Sequence, residues 1–164
     1  MKNVIKAIDA VNILFGNIIS WLSVLMVFLV ALEVVSRYVF NVPTLWSMEI
    51  NQYLFCGISL LGGGYCLLRD GHVRVDLFYP KFSPKTKARV DMCTFLLALI
   101  FCVILVWLGW GEFWVTLVDY RRSNSSVALP MWPVVLTVPL GGFLLGIQIV
   151  AKYLRHVLTL IGEN

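Results

Sequence analysis

Residues 90–118 read VDMCTFLLALIFCVILVWLGWGEFWVTLV, and from Met92 onward this stretch carries a single charged residue, Glu112. An apolar run of this length exceeds the roughly twenty residues that a helix needs to cross a hydrocarbon core. Working outward, three further runs have the same character, at about 14–36, 48–68 and 131–151. The 164 residues are 60% hydrophobic and 13% charged, whereas a soluble domain is about half apolar and a quarter charged. A soluble four-helix bundle is excluded because these helices lack a polar face. The predicted fold is an all-α integral membrane domain, residues 1–164, of four antiparallel transmembrane helices.

The charges orient it. Ten of the thirteen Lys and Arg residues fall on one side of the four runs: Lys2 and Lys6, then Arg69, Arg74, Lys81, Lys85, Lys87 and Arg89, then Lys152 and Arg155. Arg37, Arg121 and Arg122 fall on the other. The positive-inside rule places both termini and the second loop in the cytoplasm of a bacterial inner-membrane protein. Trp46, Trp114 and Trp132 then sit near the periplasmic boundary, where amphipathic rings settle. The net charge of +4 lies beside membrane segments, so it reads as anchoring to lipid headgroups and not as a nucleic-acid surface.

Residues 2–12 alternate Lys2, Lys6, Asp9 and Asn12 with Val4, Ile5, Ile8 and Val11. This is an amphipathic lead-in of the kind that lies in the headgroup region. The apolar run that follows is too long for a cleavable signal core, so an uncleaved first helix is expected. Cys56, Cys66, Cys93 and Cys102 form no C-x-x-C pair and lie in or beside apolar helices. They read as reduced packing residues and support neither a disulfide framework nor a zinc site. His72 and His156 lie at the cytoplasmic edge, which argues against haem ligation within the membrane. No cofactor is expected.

Ionisable residues inside a span are functional candidates. Glu33, Glu49 and Glu112 all lie toward the periplasmic ends of their helices. A carboxylate that binds and releases ions for transport belongs at the midplane. Pairing with Arg37, Arg121 or Arg122 is the simpler role, and Glu33 and Arg37 stand at i, i+4. Helix two carries a polar stripe of Glu49, Gln52, Cys56 and Ser59, costly against lipid and therefore turned toward protein, within this chain or in a partner. Trp107, Trp110 and Trp114 share one face over about 10 Å of helix, with Trp107 too deep for a lipid belt alone. Gly62, Gly63 and Gly64, and Gly141, Gly142 and Gly146, allow helices to approach closely. The segment 69–78 alternates charged and apolar residues; headgroup binding accounts for its Lys and Arg but not for Asp70, His72 and Asp76.

Two patches resemble a known family. RYVFNVP at 37–43, followed by WSME at 46–49, is similar to the end of helix one and start of helix two in the DctQ-type small membrane subunit of TRAP (tripartite ATP-independent periplasmic) transporters. Leu67-Leu68-Arg69 through Gly71-His72-Val73-Arg74-Val75-Asp76, then Phe82-Ser83-Pro84-Lys85, resembles that family's cytoplasmic segment, with Arg69, His72, Arg74 and Asp76 as the motif residues. Met48 departs from the pattern, where the family often has an acidic residue. The resemblance implies a stable complex with a large membrane subunit, which holds the substrate and sodium sites and moves as an elevator. It also implies a periplasmic solute-binding protein that delivers an organic acid, commonly a dicarboxylate or a sialic acid. The small subunit is then a scaffold. On this reading Glu49, Gln52, Trp107, Trp110 and Trp114 contact the large subunit, and Arg37, Asp119, Arg121 and Arg122 dock the binding protein. Two other classes compete. A thiol oxidoreductase needs reactive cysteine pairs near the periplasmic face, and they are lacking. An autonomous carrier working as a homodimer needs a deep carboxylate in helix one, and Glu33 lies too near the end.

Overall fold

The computed structural model describes residues 2–69, 71 and 84–161. Four helices follow in order: α1 (Lys2–Tyr38), α2 (Leu45–Leu68), α3 (Pro84–Val118) and α4 (Trp132–Ile161). Three contain stretches long and apolar enough to cross a membrane, Asn3–Tyr38, Met92–Val118 and Trp132–Arg155. In α2 no such stretch is found among the described residues: Glu49, Asn51 and Gln52 open it, and Gly62, Gly63 and Gly64 interrupt its leucines.

α4 is the organising element. It packs against α2 and α3 along much of its length and against α1 over a shorter stretch, while α1 also packs on α2. Among the described residues α3 has extensive contact with α4 alone. Glycines set these approaches, and neighbouring glycines face different partners. A Cβ on Gly141 would lie 2.5 Å from the Leu60 carbonyl oxygen of α2, and one on Gly142 would lie 3.0 Å from Leu105 Cβ of α3. Gly146 lies over Cys102, which is buried in the α3–α4 seam. Higher along the seam, Gly109 receives the Pro139 ring and the Val138 side chain. A proline inside a membrane helix frees a backbone carbonyl and is tolerated where protein packs around it. Near the other end Phe95 stacks on Tyr153, with ring centroids 4.4 Å apart.

The lead-in differs from expectation. Residues 2–12 do not form a separate headgroup segment; they continue into the apolar run as one helix of 37 residues. Ile5 is buried against Ala151 of α4, with Ile8 and Leu154 packed around them. Asn12 is fully buried, and its Nδ2 donates to Gln148 Oε1 at 2.8 Å. Gln148 Nε2 donates to Asp9 Oδ1 at 3.2 Å, and Arg155 forms an ion pair with Asp9. A polar side chain has no water partner beside hydrocarbon, so these groups hold the first three turns of α1 upright along α4. Gly64 of α2 closes the cluster, because only the absence of a Cβ leaves room for the Asn12 amide and the Leu144 carbonyl.

Observed helix ends also differ from the hydropathy limits. α2 begins at Leu45 and α4 runs on to Ile161, since amphipathic and polar turns extend helices beyond their apolar cores.

Candidate functional site

The chemistry-bearing side chains gather where the two short connections lie, at 39–44 between α1 and α2 and at 119–131 between α3 and α4. The first connection is tight. Asn41 takes a positive φ of 54°, a conformation asparagine tolerates better than most residues. The Val42 N–H donates to the Ser36 carbonyl at 3.0 Å, and the Ser36 hydroxyl donates to the Val42 carbonyl at 2.6 Å. Glu33 ties the turn to α1. Its Oε1 accepts from Arg37 Nη2 at 2.7 Å, and its Oε2 accepts from the Thr44 hydroxyl and, at 3.3 Å, from the Thr44 backbone N–H. Thr44 is the N-cap residue of α2, yet its side chain makes no capping bond to that helix. Its hydroxyl serves Glu33 instead.

The second connection is a small hairpin over the start of α2. Arg122 and Pro130 form an antiparallel bridge, the Ser123 N–H donates to the Leu129 carbonyl at 2.9 Å, and the Met131 N–H donates to the Arg121 carbonyl at 3.1 Å. Tyr120 has a φ of 50° where the chain enters the hairpin, and Ala128 one of 52° where it leaves the tip. At its tip Ser123 donates to the Ser125 hydroxyl at 2.9 Å, and the backbone N–H groups of Val127 and Ala128 point at the same oxygen at 3.2 Å. The Ser125 hydroxyl in turn donates to Glu49 Oε2. Tyr53 adds a second tie, donating to the Pro130 carbonyl at 3.1 Å.

This geometry separates residues that the sequence groups together. Glu49 is 4% exposed, and its carboxylate serves the hairpin of its own chain. Of the two surroundings expected for the stripe, Glu49 takes the one within its own chain, covered by the hairpin, while Gln52, one turn on, stays exposed. The tryptophan face is open. Trp107 is 80% exposed, and Trp110 and Trp114 are more than half exposed. Arg37, Asp119, Arg121 and Arg122 are all on the surface. Arg121 joins Glu112 at 2.8 Å and Asp119 at 3.6 Å, while Arg37 belongs to the Glu33 cluster. Arg69 closes α2 beside Tyr65, its guanidinium 5.4 Å from the ring centroid. Asp70, His72, Arg74 and Asp76 lie outside the described residues.

Comparison with known proteins decides which family the chain belongs to. The family described as tripartite ATP-independent periplasmic transporters, DctQ component, matches residues 26–159. The chain belongs to that family. It is 31% identical over 116 residues to a putative TRAP transporter small permease protein of Haemophilus influenzae, covering 71% of this chain and 70% of the relative. It is 28% identical over 102 residues to the C4-dicarboxylate TRAP transporter small permease protein DctQ of Vibrio cholerae, covering 60% and 42%. It is also 32% identical over 79 residues to the sialic acid TRAP transporter permease protein SiaT of Haemophilus influenzae, covering 48% of this chain and 12% of that much longer protein. The chain is thus a multi-pass inner-membrane protein and a transporter component, not an enzyme.

Sequence reasoning missed Ser125, Thr44 and the pair Asn12 and Gln148. Asn12 and Gln148 carried a signal, since an amide inside an apolar run needs a partner. Ser125 carried none, because a serine in a loop is ordinary.

Proposed function

We propose that this chain is the small membrane subunit of a sodium-coupled, binding-protein-dependent TRAP transporter for organic acids of the dicarboxylate or sialic acid kind. Its four helices cross the membrane in alternation, with both ends in the cytoplasm and the 39–44 and 119–131 connections in the periplasm. Contacts between early α1 and late α4, Asp9 with Arg155 and Asn12 with Gln148, support the alternation. The Lys and Arg distribution supports the orientation.

One observation carries the scaffold role. Each of the three glutamates in the helices is already engaged at a helix end: Glu33 with Arg37 and Thr44, Glu49 with Ser125, Glu112 with Arg121. Such carboxylates hold connections in place; they are not poised to bind and release an ion at mid-membrane. Substrate and sodium therefore bind a large partner subunit, and this chain stands fixed beside it. The exposed face of Trp107, Trp110 and Trp114, with Gln52, meets that subunit. α3, which among the described residues packs extensively on α4 alone, offers it a broad apolar side. The similarity to a short part of the long Haemophilus permease supports such an association, because there the related stretch is covalently part of a larger permease. Arg37, Asp119, Arg121 and Arg122 form the docking surface for the periplasmic binding protein.

Purification of the tagged chain in mild detergent from its native host tests this reading. A stoichiometric large polytopic partner is expected, and the pair, with its binding protein, is expected to take up sialic acid or a C4-dicarboxylate in a sodium gradient. Recovery of the chain as a homodimer that transports alone would overturn the proposal.

A further inference from the structure

The Glu49 carboxylate is buried in the chain beneath the hairpin, where it accepts from the hydroxyl of Ser125, 76 residues further on. That hydroxyl is also the point on which the hairpin tip folds, since Ser123, Val127 and Ala128 all direct hydrogens at it. The strands leading from this tip carry Arg122, bridged to Pro130, and Arg121, which closes the hairpin through Met131. The fixed end is helical: Glu49 and Tyr53, one turn apart on α2, hold the tip and the Pro130 end of the loop.

We infer that Glu49 is a positioning residue for the docking surface: through Ser125 it clamps the 121–130 hairpin onto α2 and so sets where Arg121 and Arg122 meet the binding protein. This rests on the docking role proposed above for those arginines. A charged acceptor suits the task. Hydrogen bonds to a carboxylate are shorter and about twice as strong as neutral ones, and a loop held at both tip and base loses less freedom when a partner binds. Glu49 itself is buried beneath the hairpin, so few waters reach its carboxylate to replace the Ser125 hydroxyl.

The test uses the complex of this chain with its large subunit in liposomes, titrated with binding protein. Ser125→Ala removes the donor at an exposed site with little risk to folding, and Glu49→Gln removes the charge while keeping the shape. Each is expected to raise the half-saturating binding-protein concentration by roughly three- to tenfold, as for a displaced charged contact, with maximal uptake within about twofold of wild type. The double variant is expected to be no worse than the poorer single one, because both remove one contact. Trypsin added from the periplasmic side is expected to cut after Arg121 or Arg122 faster in both. Faster cutting with an unchanged half-saturating concentration would overturn the positioning role. Arg121→Ala and Arg122→Ala distinguish the two levels: if they weaken docking and Ser125→Ala does not, the clamp alone fails; if neither arginine matters, the docking reading fails and the clamp with it.

Discussion

The side-chain amides of Asn12 and Gln148 meet at 2.8 Å inside the protein, 136 residues apart along the chain. Both are at most 1% exposed. This contact fastens the beginning of α1 to the later part of α4, with Asp9 and Arg155 extending it toward the helix ends.

Removing one amide leaves the other buried and short of a partner. Asn12→Ala is expected to lower the unfolding free energy of the chain in detergent by about 1 kcal/mol, the scale of one hydrogen bond between membrane helices. Replacing both, Asn12→Leu with Gln148→Leu, is expected to recover part of that loss. Thermal melts followed by tryptophan fluorescence measure it. Independent, additive losses would show that the two residues do not act as a pair.

The glycines fall into two groups that a single methyl tells apart. Gly141→Ala drives a Cβ into the Leu60 backbone of α2, which has no flexible end to give way. A loss of about 1–3 kcal/mol is expected, typical of overpacking. Gly57 and Gly111 face open space, so alanine there is expected to be neutral or slightly stabilising through helix propensity. The same melts decide the comparison, and equal effects at Gly141 and Gly57 would contradict the packing.

Trp107→Ala and Trp110→Ala are expected to cut the yield of complex with the large subunit by more than about half, as truncated interface aromatics do. The melting temperature of the isolated chain is expected to stay unchanged, because these rings are exposed. Quantitative pull-down beside the melt separates the two effects. A chain that melts early would make these residues structural instead.

Arg37 is half exposed and paired with Glu33 on its own helix. Such pairs contribute only about 0.3–0.5 kcal/mol, so Arg37→Glu is expected to fold. It is expected to raise the half-saturating binding-protein concentration, most clearly at low ionic strength, because the attraction is screened by salt. Uptake titrations at two salt concentrations check the effect; an identical curve at both would remove Arg37 from the docking surface.

The helical character of the chain was legible because lipid imposes it: backbone groups in hydrocarbon are satisfied within a helix or not at all. The Glu33–Arg37 and Glu112–Arg121 pairs were legible for a related reason, since opposite charges near one helix end have few other partners. The destination of Glu49 was not. Its spacing with Gln52 and Ser59 defines a stripe on α2, but what covers a stripe depends on how the chain returns more than seventy residues later. The lead-in failed similarly. Its alternation of polar and apolar residues suits a membrane surface as well as a helix flank, and the choice was made by Gln148 and Arg155 at the opposite end of the sequence. The glycine-rich runs announced close packing, yet only the third dimension showed that Gly141 and Gly142 face different helices.

The position of α4 has a consequence for how the protein is made. A ribosome delivers α1, α2 and α3 to the membrane before the helix that joins them exists. α1 and α2 can pair at once, but α3 must wait in the lipid, because the seam it packs on most among the described residues belongs to a helix not yet synthesised. Docking of α3 therefore waits for α4, and a chain cut short before residue 132 leaves α3 without the helix that receives it, exposed to quality-control proteases.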